Sequence, residues 1–289
     1  MKPRETVMLV TLAALWGASF LFMRIAAVPF GPIPLIAARL FIAAIAFLPL
    51  VRCREDFPTL LRNWKPLLGI GLLSAAIPFS LLAYSTLSLS AGFTSLLNAL
   101  TPIMTALVAR IVWRHRLRAS QGVGLALGLC GVAILCWGRM SFRAGGSGWA
   151  ILTAFLATVC YGFGGNLAKR HFAHLPANLT AAGTLVGAAA GMILPGMIFW
   201  PPVNPPAIAW VYAILLGVLC TAVAYLLYFR LLLTATATQV ASVTFLVPVF
   251  AILWGALFLG EGLTAQMAIA SVVILTGTAL ANGLVRSRG

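Results

Sequence analysis

The chain has 289 residues, is 62% hydrophobic and only 8% charged, and carries a formal net charge of +15. Soluble domains are about a quarter charged, and the chain instead repeats apolar runs of about 20 residues, the length that crosses a ~30 Å hydrocarbon core as a helix; short alternating segments of a β-barrel are absent. The basic residues lie in short connections between the runs, which makes them topology determinants rather than a nucleic-acid surface, and five cysteines without CxxC spacing form neither a disulfide framework nor a zinc site.

Ten membrane helices are expected. The first, 7–28, follows Lys2 and Arg4; it is long enough to span and reads as an uncleaved first helix rather than a signal peptide. It contains Trp16, Gly17, Ser19 and Arg24. The second, 34–51, carries Arg39 near its start, close enough to the surface to snorkel. The third, 66–88, holds Tyr84, and the fourth, 91–112, holds Asn98 and Pro102. The fifth is 119–138. The sixth, 148–168, contains "GFGGN" with Tyr161 before it and Asn166 at its end. The seventh, 178–199, presents Gly183, Gly187 and Gly191 at four-residue spacing, a small-residue packing face. The eighth, 207–230, holds Tyr225. The ninth, 237–260, holds Thr244, Pro248 and Trp254, and the tenth is 264–285.

Charge alternates along the connections. Lys2 and Arg4; Arg52, Arg54, Arg62 and Lys65; Arg110, Arg114, Arg116 and Arg118; Lys169 and Arg170; Arg230; and Arg286 and Arg288 all fall on one side, against Arg139 and Arg143 on the other. The positive-inside rule therefore places both termini in the cytoplasm.

Residues 64–134 align without a gap on 210–280 at a shift of 146. Trp64 meets Trp210, Gly71 meets Gly217, Pro102 meets Pro248 and Gly131 meets Gly277. At a shift of 145, "LWGASFLFMR" (15–24) meets "CYGFGGNLAK" (160–169). The repeat predicts two halves, 1–144 and 145–289, of five helices each. Five is odd, so the second half must be inverted relative to the first. Inverted repeats are typical of secondary transporters whose substrate site lies near the midplane, between the repeats.

"ALWGASF" in the first helix, "TPIMTALVARIVWRHRL" from the fourth and "VPVFAILWGALFLGEGL" from the ninth resemble the EamA-type pattern of the drug/metabolite transporter superfamily. The second copy closes with the family's G-E; the first departs from it, with Arg114 and His115 there. Within the superfamily the chain is similar to the aromatic amino-acid exporters of the YddG type. The resemblance implies efflux across a bacterial inner membrane.

The expected fold is thus an all-α membrane protein of ten helices, two inverted five-helix repeats around a central cavity. Six tryptophans at span ends (64, 113, 137, 149, 200 and 210) read as an interfacial belt. Trp16, Ser19, Tyr84, Asn98, Tyr161, Asn166, Tyr225 and Thr244 are the expected cavity residues, because polar groups inside a span need protein or water partners. Pro102 and Pro248 each free a carbonyl four residues earlier, at Asn98 and Thr244, and are the expected hinges. Arg24 and Arg39 read as surface anchors or gate contacts, with attraction of a carboxylate as the alternative. Glu5, Glu55, Asp56 and Glu261 all fall outside the spans, so no embedded carboxylate is there to carry a proton. Glu261 reads as an outer turn residue. No catalytic set is present, so no enzyme, cofactor or metal is expected. The expected partners are a small-molecule substrate and the lipid bilayer, with the chain a monomer. A channel or a lipid-translocating protein is the rival reading.

Overall fold

The computed structural model describes residues 2–47, 49, 56–138, 140–143 and 146–282, with backbone alone at 237 and 238. In chain order the helices are α1 (Pro3–Phe30), α2 (Pro32–Phe47), α3 (Phe57–Arg62), α4 (Trp64–Gly71), α5 (Ile77–Ser85), α6 (Ala91–Asn98), α7 (Thr101–Trp113), α8 (Ala119–Cys136), α9 (Gly148–His171), α10 (Ala177–Gly191), α11 (Ile193–Ile198), α12 (Ala207–Gly217), α13 (Ala224–Thr234), α14 (Ala237–Ala241), α15 (Val243–Leu259) and α16 (Ala265–Ala281). No strand occurs among the described residues. Two π-helical turns, Leu72–Ala76 and Val218–Val223, join α4 to α5 and α12 to α13.

Among the described residues, seven continuous stretches are long and apolar enough to cross a membrane: Pro3–Phe30, Trp64–Ser85, Ala91–Trp113, Ala119–Cys136, Gly148–His171, Ala207–Thr234 and Gln239–Leu259. α2 and α16 are apolar but shorter. The expected second and tenth spans run on to 51 and 285, and residues 50, 51 and 283–285 lie outside the described residues, as do Arg52, Arg54, Glu55, Arg139, Arg286, Arg288 and the 144/145 boundary. The seventh span, expected whole over 178–199, is interrupted at Met192 between α10 and α11. Pro195 has no amide to offer the Gly191 carbonyl, so the ladder stops there.

The two expected proline hinges differ. At Pro102 the helix breaks: Ala99 and Leu100 separate α6 from α7, and Pro102 sits in the first turn of α7. The carbonyl this leaves free, at Asn98, accepts a hydrogen bond of 2.7 Å from the Thr101 hydroxyl. At Pro248 the helix continues; Pro248 lies inside α15, and the interruption comes before it, at Ser242.

Local geometry recurs at the shift read from the sequence. The two π turns begin at Leu72 and Val218, which are 146 residues apart. α7 and α15 both end on a left-handed residue, Arg114 at φ 55° and Gly260 at φ 64°, again 146 apart. Each end is closed by the same backbone bond, His115 N–H to Ala109 O at 3.2 Å and Glu261 N–H to Gly255 O at 3.1 Å. A non-glycine residue in this region costs about 1–2 kcal/mol, so Arg114 is held there by the helix end it closes. Gly71 and Gly217, the residues before the π turns, permit matching close crossings. A Cβ at Gly71 would strike the Thr184 carbonyl of α10, and one at Gly217 would lie 2.9 Å from the Arg39 carbonyl of α2. In the same way Gly17 brings α1 against α15, where a Cβ would lie 2.7 Å from that of Phe250. The Trp254 indole fixes that crossing by donating to Ala14 O at 3.1 Å. The W-G of α1 is therefore a packing device. Trp64, Trp137, Trp149, Trp200 and Trp210 are exposed at helix ends.

Candidate functional site

The chemistry at the centre of the bundle is set by a charge. Arg39 projects from α2 at the crossing that Gly217 allows, and it is 3% exposed. It does not snorkel, contrary to the expectation for its position near the start of the helix. The reason lies across the crossing. The Val218–Val223 π turn lets the Thr221 hydroxyl donate to Leu216 O, five residues back, at 2.8 Å. Its oxygen then accepts from Arg39 Nε at 2.9 Å. Nη1 points at the Met23 sulfur at 3.7 Å, and the guanidinium carbon stands 3.9 Å from the Phe79 ring centroid. Cys220, Tyr161 and Tyr225 are its other electrostatic neighbours. No carboxylate among the described residues pairs with it. Removing a guanidinium from water costs several kcal/mol. One neutral hydroxyl and a ring face, worth up to about 2 kcal/mol when desolvated, do not restore that.

Aromatic rings wall the cluster. Phe79 meets Tyr161 edge to face at 6.3 Å, and Tyr225 meets Phe47 at 6.4 Å and Phe229 at 6.1 Å. Two of the expected cavity residues, Tyr161 and Tyr225, therefore share a site with a cation that sequence reasoning assigned to the surface. Thr221, Phe79 and Met23 were not singled out at all. The available signal was an arginine inside an apolar run with no acidic residue in any span.

The other expected cavity residues are distributed. Trp16 packs on Tyr228 at 5.6 Å, and Ser19 is buried. Asn166 donates to Thr105 O at 3.0 Å and Gly162 O at 2.8 Å, tying α9 to α7. Thr244 turns its hydroxyl back to Ala241 O at 2.8 Å. Asn98 keeps a buried Oδ1 without a hydrogen-bond partner among the described residues. Tyr84 is not brought to the cluster; it is 43% exposed.

A second polar locus closes the end of the bundle opposite the N-terminus. Arg24 Nε pairs with Glu261 Oε1 at 2.7 Å, with side chains 33% and 14% exposed. Arg24 Nη1 donates to Thr86 O and Leu89 O, each at 2.7 Å. Glu261 accepts the Ala91 amide with both oxygens, at 2.9 and 3.1 Å, so it supplies negative charge to the N-terminus of α6. It lies in the turn expected of it and is tethered there by Arg24 and the Ala91 amide. Its counterpart at a shift of 146, His115, is exposed, as is Lys169, the counterpart of Arg24 at 145.

Comparison with known proteins places this arrangement. The model of the EamA-like transporter family matches residues 4–137 and again 148–283. The uncharacterized protein PA1977 of Pseudomonas aeruginosa is 29% identical, covering 97% of this chain and 95% of its own. An uncharacterized inner membrane transporter of Escherichia coli, YedA, is 26% identical over 94% of this chain and 88% of its own, and an uncharacterized transporter of Bacillus subtilis, YvbV, is 23% identical over 97% and 92%. One solved crystal structure covers 99% of this chain with a TM-score of 0.68 at 22% identity; at that identity it shows the fold alone.

Proposed function

Because the chain belongs to the EamA-like transporter family, we propose that it is a secondary transporter working by alternating access between two inverted five-helix repeats, with both termini in the cytoplasm of a bacterium and its substrate exported across the inner membrane. The cargo is a small, partly hydrophobic metabolite, with aromatic and other neutral amino acids the leading class, as in the YddG-type exporters. The observation that carries this is the half-buried aromatic cluster of Phe79, Tyr161 and Tyr225 around a polar centre, drawn from both halves of the chain. The repeat is supported by the paired π turns, left-handed caps and glycine crossings, and by the family matching each half separately. Two breaks, beside Pro102 and at Ser242, supply the flexible points. The one carboxylate within a described span, Glu5, sits in the first turn of α1 and none lies deeper, which favours downhill facilitation over proton exchange.

The test is flux in proteoliposomes: labelled phenylalanine or tryptophan should equilibrate with or without a proton gradient. Absence of flux for every amino acid refutes the substrate class. A lipid-handling role is the second reading. It is favoured by an apolar recess of about 590 Å³ between α2, α11 and α12, lined by Phe41, Ile42, Met197 and Trp200. Scrambling of labelled phospholipid by the same vesicles would establish it.

A further inference from the structure

The proposed cargo leaves its recognition chemistry open, and Arg39 narrows it. The guanidinium has five N–H donors. Nε is taken by Thr221 and Nη1 is directed at the weakly accepting Met23 sulfur. The rest have no hydrogen-bond partner among the described residues. A structural arginine at this depth would be expected to have a carboxylate or several carbonyls around it, as Arg24 has. Arg39 has neither, yet it is held firmly: Thr221 fixes Nε through the π turn, and Phe79 fixes the guanidinium plane. A fixed plane with free N–H donors is preorganised for a planar anion, which an arginine binds through parallel hydrogen bonds. Tyr161, packed edge to face on the same Phe79 ring, and Tyr225 are electrostatic neighbours of the same charge.

We propose that Arg39 is the docking point for the carboxylate of the transported molecule, and that Phe79, Tyr161 and Tyr225 hold the apolar part of that same molecule. The inference rests on the transporter reading and adds the chemical class of the cargo, a small monocarboxylate with an aromatic or aliphatic body. A single cation suits a monoanion; a phosphate dianion needs more than one. Arg39 itself is 3% exposed while the surrounding Phe79, Tyr161 and Tyr225 are half-buried, so the anion reaches the guanidinium past these rings as the repeats move. It then supplies the counter-charge the fold lacks.

The test uses the purified full chain in proteoliposomes and five labelled compounds of similar size: phenylalanine, 3-phenylpropionate, phenylalaninamide, phenethylamine and phenyl phosphate. The wild type should carry the two carboxylates at least about tenfold faster than the amide and the amine, the worth of one charge-assisted hydrogen bond. Arg39→Gln should lose that advantage, by a rise in KM for the two carboxylates, so that acid and amide are carried at similar rates. Arg39→Lys should fall between. A merely structural role predicts instead that Arg39→Gln slows all compounds alike. If Arg39→Gln is not recovered as folded protein, the wild-type comparison of phenylalanine with its amide decides alone. Equal flux of amide and acid, or preference for phenyl phosphate, overturns the docking role and leaves the transporter reading standing. No flux of any of the five overturns both.

Discussion

The Arg24–Glu261 contact can be weighed by a double-mutant cycle on stability. At 2.7 Å the Coulomb attraction is about 6 kcal/mol at an effective dielectric constant of 20. Arg24 is a third exposed, however, and exposed pairs retain only about 0.2–1 kcal/mol once desolvation and side-chain ordering are subtracted. A coupling of about 1 kcal/mol is therefore expected between the two side chains. Glu261→Gln alone should cost more, about 2 kcal/mol, because it also turns the charge-assisted bond to the Ala91 amide into a neutral one. Arg24→Gln should cost a similar amount by loosening the Thr86 and Leu89 carbonyls. The four proteins, each purified in detergent, are unfolded by denaturant, and the singles are compared with the pair. A neutral Glu261→Gln together with exact additivity of the two changes would refute the anchor and restore Glu261 to a free turn. Transport itself should survive Glu261→Gln, since Glu261 bonds to Arg24 and the Ala91 amide and not to Arg39 or its partners Thr221, Met23 and Phe79.

The remaining expectations concern positions whose role the packing defines. Gly71→Ala and Gly217→Ala should each lower stability by about 1–3 kcal/mol, the usual cost of overpacking, with Gly71→Ala the worse because its Cβ would press closer on the Thr184 carbonyl than one at Gly217 presses on the Ile42 side chain and the Arg39 carbonyl; a detergent melt reads this, and unchanged melting refutes the crossing. Thr101→Val leaves the Asn98 carbonyl without its donor at the helix break and should cost about 1–3 kcal/mol, measured in the same way. Thr221→Val removes the acceptor that fixes Arg39 Nε, so KM for a carboxylate substrate should rise several-fold with little change for its amide. Cysteines placed at Asn98 and Thr244 should react with membrane-impermeant reagents from one side at a time under alternating access; simultaneous reaction from both sides would favour a channel.

What the sequence made legible followed from periodicity and spacing. Hydrophobic runs located the helices because the bilayer fixes their length, and the 146-residue shift anticipated where π turns and left-handed caps would recur. Prolines were less informative than they looked. Pro102 breaks its helix because Thr101 can satisfy the orphaned carbonyl, whereas Pro248 is absorbed within α15, so the same residue had two outcomes decided by neighbours. Arg39 was misplaced because depth along a helix says nothing about the face from which a side chain leaves; that depends on Gly217 and on the π turn, features of a different segment 182 residues away. Glu261 was placed in the right turn, but its two partners, Arg24 and the Ala91 amide, come from distant parts of the chain that no local pattern joins.

Local geometry recurs at the 146-residue shift, but the chemistry does not. The crossing of Gly217 with the Arg39 carbonyl is repeated by Gly71 with the Thr184 carbonyl, so Thr184 occupies the place in α10 that Arg39 has in α2. Thr184 spends its hydroxyl on Thr180 O and Ala181 O within its own helix, at 2.8 and 3.1 Å, and the counterpart of Thr221 at a shift of 146 is Ala75. One crossing thus offers a cation and a hydroxyl, and the other offers neither. The aromatic walls do remain paired, since Phe79 and Tyr225 are 146 apart and both face Arg39. Under the proposed alternating access, such an arrangement would keep two-fold symmetry in the moving parts while confining recognition to one off-axis point. A ligand bound there has a defined orientation, with its charged end at α2 and its apolar body between the equivalent helices. A matching cation at position 184 would give a second, opposed docking point, and Thr184→Arg should therefore weaken discrimination between the two ends of a bifunctional substrate rather than improve binding of a monocarboxylate.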